Sequence, residues 1–155
     1  GQALKDAIQY AMDHGVLFVA AAGNGHQGIG YNNDTDANPG YPASYSHDNI
    51  ISVAAISKKD VLGSFSNWGV QTVDIAAPGV DVYSSIPKNK YMTMPGTSMA
   101  CPHVAGAAAL YWSHHPEKTW MEVKGAILKS ARPLPSLSGK LVSGGKLNVK
   151  DLLGQ

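Results

Sequence analysis

The sequence predicts an α/β fold: a parallel sheet with helices on both faces. Two uninterrupted apolar runs, VLFVAAA (Val16–Ala22) and IISVAAI (Ile50–Ile56), read as strands covered on both sides. VDIAAPG (Val73–Gly79) is a third run, ended by a proline. Helical patterns flank these runs, and the order helix, strand, long loop, strand, strand, helix, helix implies parallel strands with helical crossovers.

In chain order, Ala3 to His14 places Leu4, Ala7, Ile8, Ala11 and Met12 on one helical stripe. Gly15 follows as a left-handed stop. After the first strand, Gly23 to Pro42 is loop, rich in Gly with an Asn/Asp cluster at Asn32–Asp36. Val82–Ile86 and Tyr91–Met94 are short extended pieces. Thr97–His115 has Ala and Leu at helical density, and Trp120–Ser130 is a second helix after it. A last short helix covers Val149–Leu153. No internal repeat or linker divides the chain.

Composition bounds the function. The chain has 155 residues, 12 Lys plus Arg and 11 Asp plus Glu, for a formal net charge of +1. Nucleic-acid and anionic-membrane surfaces need a clustered basic excess, which is missing. Charged residues make up 15%, against roughly 25% in an ordinary soluble domain. With 17 Gly, this points to close-packed backbone rather than disorder. A single cysteine excludes a disulfide framework and a Cys-rich zinc module. No apolar run approaches the ~20 residues of a membrane span.

Function in such sheets gathers at the carboxyl ends of strands. Two loops there stand out: AAAGNG after the first strand and PGTSMACPH before the long helix. Gly96 permits an unusual backbone angle or close approach. Thr97 and Ser98 fall where a helix begins, among N–H groups without helical partners. Those groups and the helix dipole favour negative charge, so a serine there has its hydroxyl beside an anion site, as acyl transfer needs. The same serine would also serve as a plain helix cap. Asn24, flanked by Gly23 and Gly25, offers an amide donor for a developing oxyanion, or simply shapes a turn. Gly23, Gly25 and Gly28 also form G-x-G-x-x-G after a strand, with Asp48 downstream. The dinucleotide motif requires its last Gly to open a helix, and GIGYNNDTDANPGYP cannot be one.

Taken together, GTSMACPHVAG (Gly96–Gly106) and VAAAGNG (Val19–Gly25) resemble the subtilisin-like serine proteases, the subtilases. YPASY (Tyr41–Tyr45), SFSNWG (Ser64–Gly69), IAAPGVDVYSSIP (Ile75–Pro87) and SGGKLNV (Ser143–Val149) follow in the family's order, so the resemblance spans nearly the whole chain. It implies a three-layer α/β sandwich, a serine endopeptidase acting on protein or peptide substrates, and a secreted or extracytoplasmic setting. By that resemblance Ser98 is the nucleophile, and Asn24 and the Ser98 N–H are the oxyanion donors. Ala21, Ala22, Gly23, Gly25 and Gly40 line the cleft for the residue before the scissile bond. Met99 sits beside the serine. No cofactor is required for the chemistry, and no metal ligand set is assigned. A structural calcium is compatible, with Asp74 able to serve a weak cation site; Asp34 and Asp36 lack the spacing of a calcium loop. Pro95 departs from the polar residue expected before Gly96 and stiffens the leaving-group side.

In the family the catalytic Asp and His lie upstream of the oxyanion Asn, and no motif here matches them. The chain, residues 1–155, therefore corresponds to the C-terminal half of a subtilase catalytic domain. The expected partner is the upstream half as a second polypeptide, or a second copy. The alternative is an inert fragment or pseudoenzyme that binds a peptide or partner chain. His103 reads as a structural histidine rather than the base: five residues turn about 500°, which points it ~140° from Ser98. His26 lies on a Gly-rich loop, and His47, His114 and His115 fall near turns or at the far helix end. A serine without a positioned base is a poor nucleophile, so the isolated chain is expected to be nearly inert. Cys101 reads as a small buried residue, Trp68, Trp112 and Trp120 as packing, and Asn33-Asp34-Thr35 as a glycosylation sequon.

Overall fold

A computed structural model describes all residues from Gly1 to Gln155. Helix α1 (Gln2–Asp13) leads into β1 (Phe18–Ala21), followed by β2 (Ile50–Ile56), β3 (Ile75–Pro78) and a hairpin of β4 (Val82–Ile86) and β5 (Lys90–Met94). Helices α2 (Thr97–His114) and α3 (Trp120–Lys129) come next, then β6 (Arg132–Pro133), a 3₁₀ turn (Pro135–Leu137), β7 (Gly145–Lys146) and α4 (Val149–Leu153). The main sheet runs β1-β2-β3-β7-β6. β1, β2, β3 and β7 are parallel; β6 is antiparallel to β7. The two-residue strands β6 and β7 were not expected from the sequence, since two residues show no periodicity.

The alternation of β2 divides the core. Ile51, Val53 and Ala55 meet Ala100, Val104, Ala107, Ala108 and Tyr111 of α2, with Val123, Ala126 and Ile127 of α3 and Leu152 of α4 behind. Ala54 and Ile56 face the other way, onto Leu134, Leu137 and Leu141. Ile50 and Ala20 also lie on that side, under Ile8 of α1. Both faces are therefore covered, as the apolar runs require, and all seven residues of β2 are buried.

Two strands start two residues later than the apolar runs, and other element ends shift by about one residue. β1 starts at Phe18, because the carbonyl of Val16 accepts the Asn49 side-chain amide at 3.0 Å. β3 starts at Ile75, since the Asp74 side chain takes the Ser52 N–H. Ala105 and Ala109 of α2 are exposed. β1 pairs with β2 alone and forms one end of the sheet. The segment after Gly25 is a two-residue hairpin: His26 and Ile29 exchange backbone hydrogen bonds, with Gln27 at φ 52° and Gly28 at φ 77°. Gly28 thus ends in a turn and opens no helix.

Candidate active site

Helix α2 starts under the carboxyl end of the sheet. Gly96 precedes it at φ 148°, a conformation that favours glycine, and donates its N–H to Gly79 O at 2.8 Å. Gly79 must be glycine for this approach: a Cβ on it would lie 2.5 Å from Ala55 Cβ and 2.8 Å from Gly96 O. Two strand ends and one helix start are thereby locked together. Ser98 follows in the first turn of α2, exposed, while Thr97 beside it is fully buried.

Thr97 sets the direction of Asn24. Its N–H and its hydroxyl both donate to Asn24 Oδ1, at 2.8 and 2.9 Å. The same hydroxyl accepts from Gly23 N at 3.2 Å. With Oδ1 committed inward, the Nδ2 donor of Asn24 is turned toward the helix start. A methyl placed on Gly96 would lie 3.7 Å from Asn24 Nδ2 and 3.7 Å from Ser98 N. Both donors thus lie beside one point at Gly96, with Met99 Sδ 3.5 Å from it. Sequence alone marks Thr97 only as a helix-start residue. The signal was its place at the first helical position, where N–H groups lack helical partners.

The residues expected along the substrate cleft are partly assembled. Ala22 N donates to Val53 O at 2.9 Å, which continues the β1 ladder. Gly40 packs on Ala22: a Cβ there would meet Ala22 O at 2.5 Å. Beneath Gly23 lies the Asn67 amide, 2.6 Å from where a Gly23 Cβ would be. Asn67 Nδ2 donates to Asn33 Oδ1 at 3.1 Å, and Asn33 also accepts from Gly40 N and donates to Ala22 O. This buried Asn33–Asn67 pair joins the Ala22–Gly23 strand end to the Gly40 segment. Ala21 closes β1 opposite Val53. Gly25 is not at this junction; it is tucked against the Ile29 backbone of its own hairpin. The pair was not singled out from sequence, because Asn in a loop most often serves a turn.

The pattern model of the subtilase family matches residues 1–154. The chain belongs to the subtilase family. This subtilase chain is 42% identical over 132 residues to subtilisin DY of Bacillus licheniformis, covering 85% of the chain and 45% of that protein. It is 41% identical over 145 residues to the thermophilic serine proteinase of Bacillus sp. (strain AK1), covering 94% of the chain and 32% of that protein. Among solved structures, the prenylagaramide maturation protease PagA superposes with a TM-score of 0.82 at 30% identity, over 99% of the chain and 55% of PagA. The chain thus spans less than half the length of these two curated relatives.

Beside Ser98 the β4–β5 hairpin arches over the start of α2. Between them lies an apolar groove of about 390 Å³, lined by Val82, Ile86, Met92, Met94, Met99 and Pro102, with Ser98 at its border. His103 borders the same groove. Its Nδ1 bonds Met99 O at 2.8 Å, and no hydrogen bond joins it to Ser98. His26 stacks on Tyr31 at 5.1 Å and His14 on Tyr10 at 4.0 Å, while His115 packs at a tilt against Tyr111 at 4.6 Å. His114 Nδ1 bonds Leu110 O. In this subtilase chain each of these histidines is engaged elsewhere.

The other singled-out residues have structural partners. Cys101 Sγ donates to Val19 O at 3.4 Å, and burial pushes its thiol pKa up. Asp34 accepts from Gln71 N, Thr72 N and the Thr72 hydroxyl. Asp36 accepts from Asn38 N. The sequon residue Asn33 is only 3% exposed and its amide donates to Ala22 O, so the folded chain does not present it for glycosylation. Trp68 packs on the Leu134–Leu141 cluster and Trp112 on the main core, its Nε1 donating to Lys118 O. No helix is long and apolar enough to cross a membrane.

Proposed function

We propose that this chain is the nucleophile-bearing part of a serine endopeptidase, with Ser98 as nucleophile and Asn24 Nδ2 and Ser98 N as oxyanion donors. The observation that carries this is that those two donors lie beside one point at Gly96. The Ser98 oxygen attacks the peptide carbonyl carbon while a histidine base takes its proton. The carbonyl oxygen becomes an oxyanion, and two fixed donors stabilise charge that appears only at that stage. Collapse expels the amine, which receives the proton from the base, and leaves an acyl-enzyme ester on Ser98. Water then attacks the ester by the same route in reverse.

The base and its orienting carboxylate come, on this reading, from the upstream half of the domain. Two surfaces support a cover of that kind. The free edge of β1 presents main-chain groups beyond which no strand of this chain pairs. The sequence of α2, TSMACPHVAGAAALYWSH, is apolar nearly all round, yet Ala105, Gly106, Ala109 and Leu110 are exposed. Relatives named as serine proteinases support peptide or protein as substrate, and the Asn33–Asn67 pair that joins Ala22, Gly23 and Gly40 supports these as the cleft for the residue before the cut.

Ser98→Ala in the complete protein is the test. Hydrolysis should fall on the order of 10⁶-fold in kcat, the size seen for the nucleophile of a related subtilisin, while the thermal midpoint stays in place. Unchanged hydrolysis would remove Ser98 from the mechanism. Absence of hydrolysis in the unaltered protein would leave the peptide-binding reading.

A further inference from the structure

Away from Ser98, the start of β2 holds a second cluster of polar groups. Lys124, midway along α3, reaches across to the sheet. Its Nζ donates to Ile50 O at 2.6 Å and Asp48 O at 3.0 Å, and lies 3.9 Å from Asp74 Oδ1. Asp74 Oδ2 accepts from Ser52 N at 2.7 Å. The side chains of Lys124 and Asp74 are 21% and 13% exposed. They border a cavity of about 300 Å³ shared with Ser44, His47, Gln71 and Thr72. Ser44 Oγ and His47 Nδ1 are buried there and meet no protein partner.

Two main-chain carbonyls and a carboxylate are the hard oxygen donors that a calcium or potassium ion takes. A weak cation site near Asp74 is also what the family resemblance implies. The residues present do not fit a metal ion. The ammonium already holds both carbonyls, and a divalent ion among the same donors would stand against its charge at close range in a partly buried space. The shortest contacts of Lys124 go to the carbonyls rather than to the carboxylate, so it is placed as a bound cation would be, not as one half of a simple ion pair.

We infer that Lys124 is the resident cation of this site: a side-chain ammonium stands in for an exchangeable ion and ties α3 to the starts of β2 and β3. Removing the ammonium leaves a buried carboxylate and two carbonyls that recruit a small cation from solution. Burial pushes the Asp74 carboxyl pKa up, while Lys124 and the Ser52 N–H hold it partly down. The ammonium is thus one of two groups that oppose the cost of burying the charged form. This inference is independent of the chemistry at Ser98.

The test counts bound ions in the complete protein after EDTA treatment and dialysis into millimolar CaCl₂ or KCl, and follows the thermal midpoint in each. Wild type and Asp74→Asn should bind the same number of calcium and potassium ions. Lys124→Ala should melt lower in EDTA, bind one additional ion per molecule, and regain a few degrees in the presence of that ion. Lys124→Met, which keeps the apolar stem, carries the same expectation should the alanine variant not fold. Loss of one ion in Asp74→Asn would overturn the inference, because a metal would then already occupy the site beside Lys124. So would Lys124 variants that gain neither an ion nor ion-dependent stability.

Discussion

At Ser98 the decisive neighbour is Thr97. It is buried, its side-chain hydroxyl is shared between Asn24 Oδ1 and Gly23 N, and its own N–H also goes to Asn24. An oxyanion donor acts only if it points at the developing charge before the reaction begins. Thr97→Ala keeps the backbone contact and removes the hydroxyl from this relay. A lost hydrogen bond of about 1 kcal/mol corresponds to a roughly fivefold fall in kcat, with KM little changed, and Thr97→Ser should restore most of it. Steady-state kinetics on a peptide substrate check this. Equal loss in the serine variant would mean that Thr97 acts by packing its methyl. Strand-loop-helix patterns place Ser98 and Asn24 at one end of the sheet, and the subtilase resemblance supplies the roles expected of them. The direction of the Asn24 amide was not legible in the sequence, since it depends on a contact between residues 73 apart.

At the scale of elements, runs and stripes gave the strands and long helices, and tertiary contacts decided the rest. β2 reads as one apolar run and is buried throughout. β6 and β7 exist only through pairing with each other and with β3, so no local pattern announces them. Helix α3 begins with a capping box: Thr119 accepts from Glu122 N at 3.2 Å, and Glu122 accepts from Thr119 N at 2.8 Å. Thr119→Ala should cost about 1 kcal/mol of stability, seen as a lower denaturant midpoint. The Thr119 N–H holds the Glu122 carboxyl below its ordinary pKa. A depressed folded-state pKa gives stability that is present above the unfolded value and lost as pH falls through the folded one. The difference between wild type and Glu122→Ala should therefore be visible at neutral pH and vanish in strong acid. A difference that persists in acid would place the effect in helix propensity instead.

For the whole molecule, coverage is the governing fact. The sheet ends at β1, whose outer edge pairs with no strand of this chain, and α2 exposes alanines and a leucine on the side away from the sheet. Exposed strand edges and apolar helix faces associate. The chain alone should self-associate, and addition of the upstream half of a subtilase domain should convert it to a one-to-one complex, as read by light scattering. A well-dispersed monomer that ignores the upstream half would contradict the proposed cover. The most direct test of the central claim is labelling of the complete protein with a fluorophosphonate probe, followed by mass mapping of the modified peptide. The probe reacts with a serine only when a base and an oxyanion site act on it. Label on Ser98, lost when Asn24 is replaced by Leu, is the result predicted here. A folded protein in which Ser98 stays unlabelled, or in which the label sits on another serine, would contradict the assignment.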